Sequence, residues 1–210
     1  MLPRERWPSL ADGIYAIVDT AVTAEPVAFG RGLVAGGIRV VQLRAKRGVD
    51  PVQLRGLVEC AHAAGAIVIV NDDVEAARFA DGIHLGQEDA ALLDFPALRL
   101  ALAEKVVGLS CGTPPEAEAA NRAGVDYVGV GPMFATLTKD DAGDPIGIEG
   151  VAAVVRASRV PVVAIGGIDG SRLADVRTSG ATMAAMISAL AAEDVAARAR
   201  ELVALWAVGR

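Results

Sequence analysis

Aromatic side chains make up only 4% of this 210-residue chain, and it holds just two cysteines, Cys60 and Cys111. With 53% hydrophobic residues overall, the core must be built mostly from Ala, Val, Ile and Leu. Two cysteines cannot supply a disulfide framework and point to a reducing, cytoplasmic setting. No group of Cys and His has zinc-site spacing, which argues against a soft metal. Positive charge is scarce as well: a net charge of −6 and a pI near 5.0 argue against nucleic acid as a partner. No apolar run approaches the length of a membrane span, and Met1 to Pro8 contains no apolar signal region, so no membrane partner is expected. No linker or shift in composition divides the chain, so residues 1–210 read as one domain with 1–12 as an N-terminal extension.

What the chain does have is a regular alternation. Short β-branched runs occur at Ile14–Asp19, Val40–Leu43, Ile67–Val70, Gly82–His84, Val106–Ser110, Tyr127–Val130, Val162–Ile165 and Met183–Ile187. Several are apolar at successive positions, as parallel strands covered on both faces require. Between them lie Ala/Leu-rich segments with helical spacing, such as Leu54, Leu57, Val58 and Ala61, or Val195, Ala199, Leu202 and Trp206. Eight strand signals, each followed by a helix signal, fit an α/β fold of the (β/α)8 TIM-barrel type with lean connections. An open doubly wound sheet is the alternative, but no Gly-x-Gly-x-x-Gly follows Asp19.

A barrel of this type carries its chemistry at the carboxyl ends of the strands. The residues that end the runs are therefore expected at one mouth: Asp19; Gln42, Arg44 and Lys46; Asn71 and Asp72; His84, Gln87 and Asp89; Ser110; Thr136, Thr138 and Lys139; Gly166 and Gly167; Ile187 and Ser188. Arg44 and Lys46 lie two apart, so an extended backbone points both to one side. With Lys139 they suit a diphosphate, although Arg44 and Lys46 could instead pair with a carboxylate such as Asp72. Asp72 and Asp89 suit Mg²⁺ beside such a ligand; as a metal-free alternative, either could cap a helix. Gly167 and Ser188, after the seventh and eighth runs, stand where barrels often bind a phosphate through backbone N–H groups. The turn after Tyr127–Val130 leads through Thr136, Thr138 and Lys139 to a glycine- and aspartate-rich loop, Asp140 to Gly147, which reads as a lid. His84 reads as a structural residue bonded to backbone, His62 as helix filling, and Cys111 as no nucleophile, for want of a nearby base.

These motifs, in this order, resemble the thiamine phosphate synthase family over about Ile14 to Leu190. The resemblance is carried by Val41-Gln42-Leu43-Arg44-Ala45-Lys46, Val70-Asn71-Asp72-Asp73, the run from Ala80 to Asp89, and Gly129-Val130-Gly131-Pro132. It continues through Thr136-Leu137-Thr138-Lys139, Ala164-Ile165-Gly166-Gly167-Ile168 and Ile187-Ser188-Ala189. It implies an enzyme, a transferase that joins a pyrimidine diphosphate to a thiazole phosphate with release of diphosphate. Gln42, Arg44, Lys46, Asn71 and Lys139 match positions that bind the pyrimidine diphosphate, with Ser110 near its diphosphate. Asp72 and Asp89 match the Mg²⁺ ligands, and Thr136, Thr138, Gly167, Ile187 and Ser188 match the thiazole-phosphate site. Arg44, Lys46, Ser110 and Lys139 are thereby the expected catalytic groups. The chain departs from the family at Gly112, where a histidine is common, and at Ala135, where a proline is usual. A thiazole tautomerase of the same superfamily, or a non-catalytic binder of thiamine precursors, is the alternative. An acidic barrel with apolar outer helices is also compatible with a homodimer.

Overall fold

The computed structural model describes residues 1–136 and 143–208. In chain order these form α1 (Pro3–Leu10), β1 (Gly13–Asp19), α2 (Pro26–Ala35), β2 (Val40–Arg44), α3 (Pro51–Ala63) and β3 (Ile67–Asn71). Then follow α4 (Val74–Ala77), β4 (Gly82–Leu85), α5 (Gln87–Ala91), α6 (Phe95–Ala101), β5 (Val106–Cys111) and α7 (Pro114–Ala123). The remainder is β6 (Tyr127–Val130), α8 (Gly147–Ala157), β7 (Val162–Ala164), α9 (Leu173–Thr178), β8 (Met183–Met186) and α10 (Val195–Val208). The eight strands pair in sequence order, all parallel, and β8 closes on β1. The (β/α)8 barrel is therefore the fold, with each strand within one residue of the run that announced it.

Local chemistry explains the element ends. Proline opens α2, α3 and α7, where its missing N–H is no loss. Asp50 caps α3 by accepting from Val52 N–H at 2.8 Å, and α7 stops at Gly124 in the left-handed region at φ 74°. The leanest connection runs from β3 to β4, where α4 has only four residues. No helix among the described residues is long and apolar enough to cross a membrane.

Burial falls into two shells. Outside the barrel, Leu33, Leu57, Val151 and Leu202 seal helices against strands. Inside it, alternate strand positions such as Tyr15, Ile69, Val106 and Met183 form a second core. The amino end of this inner core is stopped by α1. Arg4 pairs with Asp126 at 2.7 Å, Arg6 donates to the Gly65 carbonyl, and Trp7 Nε1 donates to the Asp126 carbonyl at 2.9 Å. All three acceptors lie just before strands, which places α1 across the amino-terminal face. Trp7 is 3% exposed, with its ring 4.8 Å from that of Tyr127. The first twelve residues thus include a plug of the barrel as well as a connection to it.

Removing that plug side chain opens the inner core to water. Trp7→Ala should lower stability by about 3–5 kcal/mol, the usual cost of deleting a buried aromatic ring. Urea unfolding of the two proteins measures this; an unchanged midpoint would show that α1 does not seal the barrel.

Candidate active site

Inward-facing positions near the carboxyl ends of the strands carry polar side chains, and the strand register brings them together. Asp19 and Arg44 are partners across β1 and β2, and their side chains form an ion pair. Asp19 is buried and also accepts from Ala21 N–H at 2.9 Å, so it holds the guanidinium from below. The pairing of Arg44 with Asp72 that its spacing allowed is not what forms. Arg44 is still near enough to Asp72 for its charge to favour that carboxylate. Lys46 is exposed and pairs with no carboxylate among the described residues. Thr138, Lys139 and the first three residues of the expected lid, Asp140 to Ala142, lie outside the described residues.

Asp72 follows β3 with φ of 60°, the only non-glycine residue among those described with positive φ. That backbone state is strained for a branched-off side chain and is held here by three bonds. Asp72 N–H donates to the His84 carbonyl at 2.9 Å, Gly86 N–H donates to Asp72 Oδ1 at 2.8 Å, and Asn71 Nδ2 donates to Asp72 Oδ2. Neither aspartate is a helix cap. The cap of α4 is Asp73, whose side chain accepts from Ala76 N–H, and the cap of α5 is Gly86, which puts Asp89 in the first turn. A Cβ added to Gly86 would lie 3.1 Å from Asp89 Oδ2 and 3.8 Å from Asp72 Oδ1, so one glycine separates the two carboxylates. Burial first, opposed by the Gly86 N–H, and then the charge of Asp89 push the Asp72 carboxyl above its ordinary range. Two hard oxygen groups this close, one of them disfavoured as a bare anion, fit a small divalent cation. No cluster of three or more metal-ligating side chains occurs among the described residues, so substrate and water oxygens would have to complete the shell.

The inner layer beneath these groups holds two tyrosines that the motifs did not single out. Tyr15 and Tyr127 share a hydroxyl contact of 2.7 Å; Tyr15 reaches Gln42 Oε1 at 2.8 Å, and Tyr127 reaches His84 Nδ1 at 3.0 Å. Gln42 donates on to Asn71 Oδ1 at 2.9 Å, and His84 Nε2 lies 3.0 Å from Ser110 Oγ. Both ends of Gln42 are engaged, and it is buried, so it faces a ligand with little free capacity. Glycines make room for the rings. Gly108 stands in register between His84 and Tyr127, and a Cβ there would lie 2.1 Å from Tyr127 Cζ; one at Gly129 would lie 2.9 Å from His84 Cε1. The sequence signal was present: the chain has only two tyrosines, both in aliphatic strands at inward parity, and a buried phenol needs a partner. His84, expected to bond only to backbone, uses both ring nitrogens on side chains. Burial lowers its pKa to about 4, so the ring is neutral near pH 7. The Cys111 thiol is pushed up to about 12 by burial and by Glu116, in keeping with no nucleophilic role.

On the opposite side of the mouth lies an open cavity of about 1130 Å³. Thr136, Gly167, Ile187 and Ser188, four of the residues matched to a phosphate site, line it together with Thr23 and Phe29. Gly166 and Gly167 take φ of 101° and 61°, and the loops after β6 and β7 are laced by Met133 N–H to Ile165 O and Phe134 N–H to Gly166 O. A Cβ on Gly167 would strike the Ala135 carbonyl at 2.4 Å, so this glycine is required by the fold of the cavity wall. At the departure after β5, Gly112 N–H donates to Glu116 Oε2, and Glu116 with Thr113 forms a capping box on α7.

Comparison with known proteins shows the family and the fold. The family model described as thiamine monophosphate synthase matches residues 14–190. The chain is 47% identical to the thiamine-phosphate synthase of Moorella thermoacetica over 179 residues, covering 82% of this chain and 84% of that one. It is 43% identical to that of Chloroflexus aurantiacus over 184 residues, covering 83% and 82%. Among solved structures, thiamine phosphate pyrophosphorylase from Pyrococcus furiosus superposes with a TM-score of 0.83 at 30% identity, covering 95% of this chain and 98% of that one.

The neutral His84 ring ties stability to pH. Its pKa falls from 6.5 to about 4 on folding, so the unfolded chain binds the proton more readily between those values. Stability should be full above pH 6.5 and fall on acidification by on the order of 3 kcal/mol as the pH approaches 4. Urea unfolding at pH 7.0 and 4.5 should show a larger acid loss in the native protein than in His84→Gln; equal losses would mean the ring does not stay neutral.

Proposed function

The chain belongs to the thiamine monophosphate synthase family, and from that premise we propose that it makes thiamine phosphate. The reaction joins 4-amino-2-methyl-5-hydroxymethylpyrimidine diphosphate to 4-methyl-5-(2-phosphooxyethyl)thiazole and releases diphosphate. The observation that carries this reading is the two-sided mouth. A cation-poor protein places Arg44 and two carboxylates about Gly86 on one side, and a glycine-walled cavity on the other. That arrangement suits two different anions held facing each other.

In this reading Arg44, Lys46 and Lys139 hold the diphosphate, and Gln42 and Asn71 meet the pyrimidine. Asp72 and Asp89 hold Mg²⁺, which when bound stabilises charge on the departing diphosphate. Asp19 keeps the Arg44 guanidinium oriented, so its donors need no rearrangement as the carbon–oxygen bond breaks. The substitution is dissociative: diphosphate leaves, the pyrimidine ring carries the positive charge on its methylene carbon, and the thiazole nitrogen adds. Thr136, Thr138, Gly167, Ile187 and Ser188 fix the thiazole phosphate and thereby aim that nitrogen. Such chemistry needs charge stabilisation and exclusion of water but no side-chain nucleophile.

Product formation from the two purified substrates tests the reading. Thiamine phosphate should appear with Mg²⁺ and not with chelator, and Asp72→Asn or Lys139→Ala should each lower kcat/KM by about 100-fold or more. Binding of both substrates without product, in the native protein with Mg²⁺, would overturn it and leave a binder or a tautomerase.

A further inference from the structure

The polar contacts inside the barrel form one continuous line. It runs from Asp72 through Asn71, Gln42, Tyr15, Tyr127 and His84 to Ser110, with successive contacts after the first of 2.9, 2.8, 2.7, 3.0 and 3.0 Å. Asn71 turns Nδ2 to Asp72 and Gln42 turns Nε2 to Asn71 Oδ1, and these two amides set the direction of the bonds along the line. The oxygen of Gln42 then takes the Tyr15 hydrogen. Tyr15, its one hydrogen spent, accepts from Tyr127, and Tyr127 in turn accepts from His84 Nδ1–H. The His84 ring carries a single hydrogen, so Nε2 is bare and takes the hydrogen of Ser110. The reversed orientation would set Asn71 Oδ1 against Asp72 Oδ2, two acceptors in contact.

We propose that Tyr15, Tyr127 and His84 are positioning residues that lock the Ser110 hydroxyl hydrogen inward, so that Ser110 Oγ meets the substrate only as an acceptor. The chemical group that satisfies it is an N–H of an aminopyrimidine; a phosphate oxygen, itself only an acceptor, would be repelled. This rests on the proposed function and departs in one respect from what the family resemblance implies, since Ser110 is turned from the diphosphate toward the amino group of the ring. No proton need be transferred. As the diphosphate leaves, positive charge spreads from the methylene carbon into the ring and its amino group. A lone pair held at that N–H therefore binds the transition state more strongly than the ground state. The glycines at 108 and 129, which admit the two rings, are what allow the line to pass through an otherwise aliphatic core.

Two measurements test this. The first is the tautomer of His84 in the ¹⁵N-labelled full chain, with the signals of His62 identified by His62→Gln. The Nδ1–H tautomer is expected; Nε2–H would overturn the direction of the line, whatever the protein catalyses. The second is a double-mutant cycle of Tyr127→Phe and Ser110→Ala in thiamine phosphate formation. Tyr127→Phe keeps the ring against Trp7 and His84 and should lower kcat about tenfold with KM for the thiazole phosphate unchanged. The double variant should be no slower than Ser110→Ala alone, whereas losses that multiply would show that Tyr127 does not act through Ser110. Absence of product in the native protein would sink the proposed function and with it the substrate named here, while the tautomer would still decide the direction of the line.

Discussion

A closed barrel of eight strands has an interior that side chains must fill, and this chain has few large ones to fill it with. The solution is a column of rings. Trp7 enters from the amino face, Tyr127 lies over it at 4.8 Å, and Tyr15 and His84 flank Tyr127 at 5.9 and 5.5 Å. One set of polar groups at the mouth, Gln42, Asn71, His84 and Ser110, is tied to this column. The tyrosine hydroxyls need partners in a medium that supplies no water, and Gln42 and His84 provide them, which in turn fixes Asn71 and Ser110. Packing and site geometry are thus one problem here, because the groups that fill the barrel also orient those that face the substrate.

The electrostatic design follows from the acidity of the chain. Of the cations expected at the mouth, Arg44 is neutralised by buried Asp19 and positioned by it, while Lys46 stands in solvent. Asp72 lies in the other direction: it is half-buried, bent into the left-handed region, and near a second carboxylate. These are costs to the unliganded fold, and they concentrate at one point of the mouth. The remainder of the barrel carries no comparable strain in a non-glycine backbone among the described residues.

The barrel was legible because parallel strands covered on both faces leave uninterrupted β-branched runs, and each run marked its strand to within one residue. The mouth was legible for a related reason: once strand ends are known, the polar residues following them are known too, and Thr136, Gly167, Ile187 and Ser188 do line one cavity. What the linear order hid was how those residues divide their bonds. Nothing near Arg44 in sequence selects Asp19 over Asp72, since the choice depends on strand register. Nor does Asp72 beside Asp73 reveal which one caps the helix and which adopts positive φ. Tyr15 and Tyr127 stand 112 residues apart and read as ordinary strand aromatics until the barrel closes. The N-terminal segment was equally silent, because its polar face bonds to carbonyls that only the folded barrel gathers.

Trp7 and its seat on Asp126 are separated by 119 positions in the chain. Closing a loop of that length costs about 2 kcal/mol more in chain entropy than closing one of ten residues. The seat itself exists only after β5 and β6 have paired, because Asp126 is held there by Arg99 and by the Val107 N–H. Docking of α1 on Asp126 therefore requires that β5 and β6 have already paired. Until it happens, the barrel is a tube open at its amino end, with aromatic rings exposed to other unfinished chains. The passage from assembled strands to a sealed interior is then the stage at which this protein is most vulnerable to aggregation.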